Sequence, residues 1–573
     1  MAIARALLGL GAAAALALAG CSQPPVKIAP PAPAPDADWA FYGGDAGGQR
    51  FSPAAQITPA NVQALSIAWT YSTGDMATKG KAMKRAAFEA TPIMVEGRLF
   101  VCSPFDEVSA IDPETGRQLW RFDPKIEPTI RYPNDFNCRG VAHWRDVAAP
   151  AAQPCAERIF VATNDRRLIA LDARTGAACA AFGHGGTVDV GAGVVLARPG
   201  GMQITSAPVV THGVVVVGSS IDDNQRVNET RGTVRAYDAL TGALRWTFDP
   251  LTKAPNGFVA GAANVWAPMS VDEERGLVFL PTSSASPDFY GAERKGDGRD
   301  ANSVVALKAE TGQEVWAFQT THHDVWDYDL PAQPTLGTVT WQGQSQPAVI
   351  QPTKQGLIFT LNRDTGAPVI PVVERPVPQG GAPGEVLSPT QPFPLAPKPL
   401  SPSNITAKQA YGLTPWDRGA CRKLIEGAKH GGMFTPPSVG GSLIFPFTGG
   451  GVNWGGLAFD PTRNVVFVNT SSALHKVTLI PAEKVQAARA AEPDKEISPD
   501  AGARYGMKRE VLLSPIGLPC NPPPWGMLHA IDMRDGHVMW ELPLGTTRDL
   551  APGSQLFIHG TGTPNFGGPI VTG

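Results

Sequence analysis

Apolar and polar residues alternate in short runs along most of this chain, and the runs come in pairs. TPIMVEGRLFVCS (91–103), APVVTHGVVVVGS (207–219) and WGGLAFDPTRNVVFVNT (454–470) each read as two strands around a tight turn. A second unit recurs six times: AIDPETGRQLW (110–120), ALDARTGAACA (170–180), AYDALTGALRW (236–246), ALKAETGQEVW (306–316), TLNRDTGAPVI (360–370) and AIDMRDGHVMW (530–540). Each predicts a strand, a turn centred on T-G or D-G, and a second strand that usually closes on Trp. The Gly supplies the positive φ of the turn, the Asp can accept backbone N–H bonds across it, and the Trp can wedge between units. Four strands per unit, repeated at roughly sixty residues, is the pattern of a β-propeller blade. Such a unit cannot bury both faces alone, so the units must stack in a ring. The fold class is therefore all-β.

Two excursions interrupt the pattern. Residues 366–405 are rich in proline and predict a surface loop, and PAEKVQAARAA (481–491) predicts a short helix. The closing TPNFGGPIVTG resembles the opening of a blade without its partner strand, so the expectation is an incomplete C-terminal blade.

Composition narrows the class. Gly (62) and Pro (55) are frequent, but 13 Trp and 43% hydrophobic residues place the chain among folded proteins. Charge is nearly balanced at −3 with no basic run, so nucleic acid is not an expected partner.

The N-terminus predicts export. Arg5 precedes a short Ala/Leu/Gly run ending in Leu18-Ala19-Gly20-Cys21, which resembles a bacterial lipobox with Cys21 as the lipidated residue. Residues 1–21 are then a lipoprotein signal, 22–37 (SQPPVKIAPPAPAPDA) a Pro/Ala tether, and 38–573 the folded domain. This predicts a periplasmic protein held to the membrane by lipid. Ser22, rather than Asp, points to the outer membrane over the inner. Six other cysteines remain, whose pairing the sequence leaves open, and no CxxCH motif marks a covalent haem.

The chemistry gathers in HHDVWDYDLPAQP (322–334), where two His, Trp326 and the carboxylates Asp324, Asp327 and Asp329 fall within eight residues. Buried carboxylates cost several kcal/mol each unless paired or metal-bound. A polar loop at a sheet edge is the bland alternative.

The repeats, the WDYDLPAQP segment and Lys354 in QPTKQGLIF together resemble the pyrroloquinoline quinone (PQQ) dehydrogenases, in the glucose/quinate/shikimate branch. The likeness runs from Trp39 to Gly573 and includes CRGV (138–141), NVWAP (264–268), ERPVPQGG (374–381), FTPPS (434–438) and GTPNFGGPI (562–570). It implies an eight-bladed propeller of four-stranded antiparallel blades, with PQQ and a divalent metal near the axis. Asp327 matches the family's base, which takes the hydroxyl proton as the adjacent carbon is oxidised. Lys354 matches the lysine at the quinone oxygens. Trp266 matches the stacking indole and Asn469 an amide near the quinone. Asp223 and Asn224, with Asp327, match the metal site, where oxygen ligands suit Ca²⁺ or Mg²⁺. Glu89 and Trp454 are further cofactor candidates. Where the glucose enzymes place a His after C-R-G-V, this chain has Trp144, preceded by His143, as a second stacking candidate.

The implied activity is oxidation of an alcohol group of a sugar, polyol or cyclic hydroxy acid, with electrons passed to a respiratory quinone or another acceptor. Two other readings are an outer-membrane assembly scaffold and an inactive truncated quinoprotein. The scaffolds share the repeats but not the Asp327, Lys354 and NVWAP set.

Overall fold

In the computed structural model four of the six repeats form the expected hairpins. In AIDPETGRQLW the Asp112 carboxylate accepts from the N–H groups of Glu114 and Thr115, both at 3.0 Å, and Gly116 takes φ +70°. Three strand-ending tryptophans dock the turn of the next sheet. Trp120 Nε1 donates to the Ala173 carbonyl (3.0 Å), Trp246 to Ala309 (2.8 Å) and Trp316 to Arg363 (3.0 Å). Each indole also covers that turn's glycine so closely that a Cβ on Gly176, Gly312 or Gly366 would collide with it. The same glycine thus serves the turn and the sheet-to-sheet contact.

The structure describes residues 38–252, 261–547 and 560–573. They belong to one unit spanning 37–573. The lipobox and tether lie outside the described residues.

Among the described residues six sheets are four-stranded and antiparallel. Not every repeat reaches four strands. Thr335–Trp341, Gln344–Pro352 and Ile358–Asn362 make a three-stranded sheet, because the residues after its turn include Pro368 and Pro371, which have no N–H for a ladder. In ALDARTGAACA the second strand is displaced to Thr187–Asp189, past the disulfide that joins Cys179 to Cys155. The other cysteines pair as Cys102–Cys138 and Cys421–Cys520.

Two sheets interleave. Leu457–Asp460 and Val465–Ser471 are completed by Gly526–Asp532 and Val538–Pro543. Between them the chain leaves to build His475–Pro481, Glu496–Ser498 and Tyr505–Val511 onto Ser442–Ile444. This detour matters for the site described below.

The expected loop over 366–405 contains an antiparallel pair, Val372–Pro376 with Thr390–Pro394. The expected short helix forms as a 3-10 turn, Ala482–Lys484, continued by Val485–Ala491. An unforeseen helix, Pro415–Glu426, starts at Thr414, whose hydroxyl accepts from Asp417 N at 3.1 Å. Phe51–Ser52 pairs in parallel with Val571–Thr572, so the first and last described strands lie side by side.

Candidate active site

The acidic loop is folded by one of its own carboxylates. Asp324 is buried and accepts from Trp326 N (3.0 Å), Tyr328 N (2.8 Å) and the Ser284 hydroxyl. That turn drives Trp326 and Tyr328 into the core, where the Trp326 indole donates to the Thr435 carbonyl (2.9 Å) and the Tyr328 hydroxyl to Pro446 (3.0 Å). Asp327 and Asp329 are left facing a cavity. Asp327 has φ +60°, a left-handed conformation uncommon outside glycine and often found at functional sites. The histidines turn away: His323 bonds the Gly296 carbonyl and Glu385, and His322 bonds Gln319 and Glu374.

Lys354 ties the carboxylates together. Its ammonium donates to the Asp327 carbonyl at 2.8 Å and to Asp327 Oδ1 at 2.9 Å, and it pairs with Asp329 Oδ1. Asp329 in turn accepts from the Trp266 indole through Oδ2. The other oxygen of Asp327, Oδ2, accepts from Arg509 Nη1 at 3.0 Å.

Asp327, Asp329, Lys354 and Trp266 line a cavity of about 260 Å³, with Arg509 behind Asp327. Six of the nine residues matched to the family's site meet there, Glu89, Asp223, Trp266, Asp327, Lys354 and Trp454, together with Asp329 of the acidic loop. Three do not. Trp144 lies in the strand Ala142–Arg145, under the Arg158 guanidinium at 5.7 Å and against the cluster around Phe160. The strand begins straight after C-R-G-V and carries Trp144 onto that cluster, whereas Arg139, just before the strand, lines the cavity. Asn224 is buried beside Asp500, whose N–H donates to its carbonyl at 3.2 Å. Asn469 donates to the Asn565 carbonyl (2.8 Å) and so fastens the segment that brings Phe566 to the cavity wall.

Arg139 is a cavity residue that the sequence reading did not single out. Its guanidinium carbon is 5.1 Å from the Trp266 ring centre and 5.7 Å from that of Trp454. Glu89 (2.8 Å) and Thr205 (2.7 Å) hold it there. Asn264, held by Ser219 and Ser283, and Asp288 also face the cavity. Arg139 and Asn264 sit inside the CRGV and NVWAP segments, so attention to the whole motif finds them. Asp288 and Arg509 carry no local signal.

The electrostatics are those of too many carboxylates for too few cations. Removal from bulk water raises Asp327 to about 6 even though Lys354 and Arg509 oppose the shift. Asp223 opens onto the cavity, yet its enclosure and the charges of Asp327 and Asp329 push it up to about 8. Asp288 is raised well above the carboxylate range by burial, then by Asp327 and Asp223. Burial alone would lower Lys354, but Asp327 and Asp329 more than offset it and keep the ammonium charged. Among the described residues no three carboxylate, imidazole or thiol groups converge closely enough to hold a metal by themselves.

Comparison with known proteins gives one consistent answer. The family profile described as "PQQ: Glucose/ethanol/alcohol dehydrogenase, beta-propeller domain" matches residues 39–573. The quinoprotein glucose dehydrogenase of Escherichia coli (strain K12) is 37% identical over 94% of this chain and 70% of its own length. The quinate/shikimate dehydrogenase (quinone) of Acinetobacter baylyi is 37% identical over 93% of this chain and 70% of its own. Among solved structures, a europium-containing methanol dehydrogenase superposes with a TM-score of 0.64 at 22% identity, covering 94% of this chain and 80% of its own, and shows the propeller fold.

Proposed function

Since this chain belongs to the PQQ-dependent glucose/quinate/shikimate dehydrogenase family, we propose that it oxidises an alcohol group of a sugar, polyol or cyclic hydroxy acid at the Asp327–Lys354 cavity. The observation that carries the reading is the chain Trp266–Asp329–Lys354–Asp327, which joins a flat aromatic face, a fixed cation and a candidate base in one wall.

The residues present fit both groups the family uses. Trp266 and Trp454 offer flat faces, and the Trp454 indole N–H is a buried donor without a partner. Arg139 and Lys354 offer the positive charge that a tricarboxylate quinone needs. The surplus of carboxylates, Asp223 and Asp288 above all, together with the Asn264 amide, suits a hard divalent cation such as Ca²⁺ or Mg²⁺. When bound, the quinone supplies the two-electron oxidant and the cation a Lewis acid.

The chain's own part is proton handling and charge placement. Asp327 takes the substrate hydroxyl proton on its carboxylate, a task for which a group raised to about 6 is better matched to neutral pH than an ordinary Asp. Lys354 holds positive charge where negative charge develops, and Asp329 fixes both the Lys354 ammonium and the Trp266 ring. Electrons leave to a respiratory quinone or another acceptor.

We further propose that the mature protein is periplasmic and held to the membrane, the outer one in preference, by lipid on Cys21. The LAGC ending supports this, and three disulfides suit an oxidising compartment. Cys21→Ala should then abolish lipid labelling and membrane fractionation, and unchanged labelling removes the anchor.

The test of activity is to add PQQ with Ca²⁺ or Mg²⁺ to the purified apo-protein and screen alcohols with an artificial electron acceptor. Dye reduction on sugars, polyols or hydroxy acids is expected. Failure to bind PQQ, or turnover confined to simple primary alcohols, overturns the reading.

A further inference from the structure

Both oxygens of Asp327 are already held by cations, and only one of those cations belongs to the motif set. Lys354 takes Oδ1, and Arg509 takes Oδ2 from a residue 182 positions away. Arg509 is itself rigidly placed. It lies opposite Glu496 in the register of Tyr505–Val511 with Glu496–Ser498, and grips that carboxylate with two bonds, Nε to Oε2 at 3.0 Å and Nη2 to Oε1 at 2.5 Å. The Nη1 that reaches Asp327 also donates to the Thr448 hydroxyl at 2.8 Å, and that hydroxyl lies 3.0 Å from Nδ1 of the buried His475. Phe289 lies beneath the guanidinium, 6.0 Å away. A surface ion pair would not need four separate supports.

All of these supports except Phe289 come from one place. His475, Glu496 and Arg509 lie on the strands the chain builds during its detour between Val465–Ser471 and Gly526–Asp532, and Thr448 just follows the strand they join. Glu496 also borders an outer cleft with Arg85, Arg131 and Asn134, and Asn134 reaches the inner cavity as well. Through Glu496, Arg509 therefore links the edge of that cleft to Asp327.

We infer that Arg509 is a positioning residue for the oxidation: clamped by Glu496 and Thr448, it fixes the orientation of the Asp327 carboxylate. The inference rests on reading Asp327 as the base. A carboxylate on a left-handed backbone can rotate about its own axis, and Lys354 restrains only one oxygen. The guanidinium fork removes that freedom before substrate arrives, and small losses of alignment at a reacting group are costly.

The test is a double-mutant cycle on the holo-protein, with PQQ affinity and thermal stability read beside kcat and KM. Arg509→Met keeps the stem and removes the fork, and should lower kcat by about 10- to 100-fold with PQQ affinity unchanged. Arg509→Lys should recover part of the loss, and added guanidinium ion part of the loss in Arg509→Ala. Glu496→Gln should give a smaller fall of the same kind. In an Asp327→Asn background, Arg509→Met should cost almost nothing more, because it acts through Asp327. Losses that multiply in the double variant, or that fall equally on PQQ affinity and stability, make Arg509 a purely structural residue and overturn the inference. So does a wild-type kcat in Arg509→Met while Asp327→Asn is inactive. An active Asp327→Asn protein removes the base reading instead, and is told apart by that single variant.

Discussion

The aspartates of the turns and those of the cavity are the same side chain put to opposite uses. At the hairpins Asp172 accepts from Cys155 N (2.6 Å), Arg174 N (3.1 Å), Thr175 N (3.0 Å) and the Thr175 hydroxyl (3.0 Å). Burial alone would raise its pKa, but these donors outweigh it and hold the carboxyl below its usual range, as they do for Asp238 and Asp460. In the cavity enclosure and like charges prevail, so Asp223 and Asp288 are pushed up, and so is Asp327 despite Lys354 and Arg509. The turns complete their carboxylates from within the chain. The cavity leaves its own short of positive charge, and that shortfall is what a proton or an added cation can answer.

The comparison breaks most visibly at Asp327. Asp327→Asn keeps the shape but not the basicity, and kcat should fall by about two to four orders of magnitude while PQQ still binds, as read by titrating the apo-variant and measuring dye reduction at saturating cofactor. Near wild-type turnover would place the base elsewhere. Next in size, Asp223→Asn should weaken divalent-cation affinity by about tenfold or more, measured by calorimetry, because it removes a carboxylate the fold has not paired. Trp266→Ala should loosen PQQ by about tenfold with a smaller effect on kcat once the cofactor is saturating.

The turn aspartates should respond in a different currency. Asp172→Ala removes the acceptor of four partly buried hydrogen bonds and should cost about 1–3 kcal/mol in urea unfolding, with kcat unchanged. A loss of activity without a loss of stability there would mean that the two groups of carboxylates are not functionally separate.

How much of this was legible in sequence follows the same division. The hairpin aspartates, their glycines and the docking tryptophans are local, so T-G spacing exposed the propeller. The offset between Asp327 and Lys354 is also short enough to be carried by a motif. The rest of the cavity draws residues from Glu89 to Phe566, and only the tertiary register decides which of them face inward. Counting forward from C-R-G-V led to Trp144, but a strand starts at Ala142 and takes Trp144 away while leaving Arg139 in place. The missing fourth strand after Thr365-Gly366 was in view as Pro368 and Pro371, whose lack of N–H groups outweighed the repeat. Arg509 lies in MKREV, where nothing distinguishes it from a solvated arginine until the detour brings it to Asp327.

The smallest expected effect distinguishes the two groups by sign. Asp172, Asp238 and Asp460 have folded pKa values below their unfolded ones, so the folded state binds fewer protons around and below pH 4. Their stabilisation is complete above the unfolded pKa and is lost as pH falls through the folded values, so acid should destabilise the protein. Asp223 and Asp327 are raised, to about 8 and about 6, so the folded state binds more protons than the unfolded chain between about pH 4 and 8. Over that interval the cation-free protein should therefore lose stability as pH rises. In a domain of this size the slope amounts to about one to a few degrees of Tm between pH 5 and 8. Saturating Ca²⁺ should cancel it, since a bound cation favours the ionised carboxylates, and Asp223→Asn should reduce it without any cation. The acid limb should be indifferent to both. A thermal-unfolding series at pH 3 to 8, with and without Ca²⁺, reads both limbs in one experiment. A neutral-pH slope that survives Ca²⁺ and Asp223→Asn alike would come from groups outside the cavity.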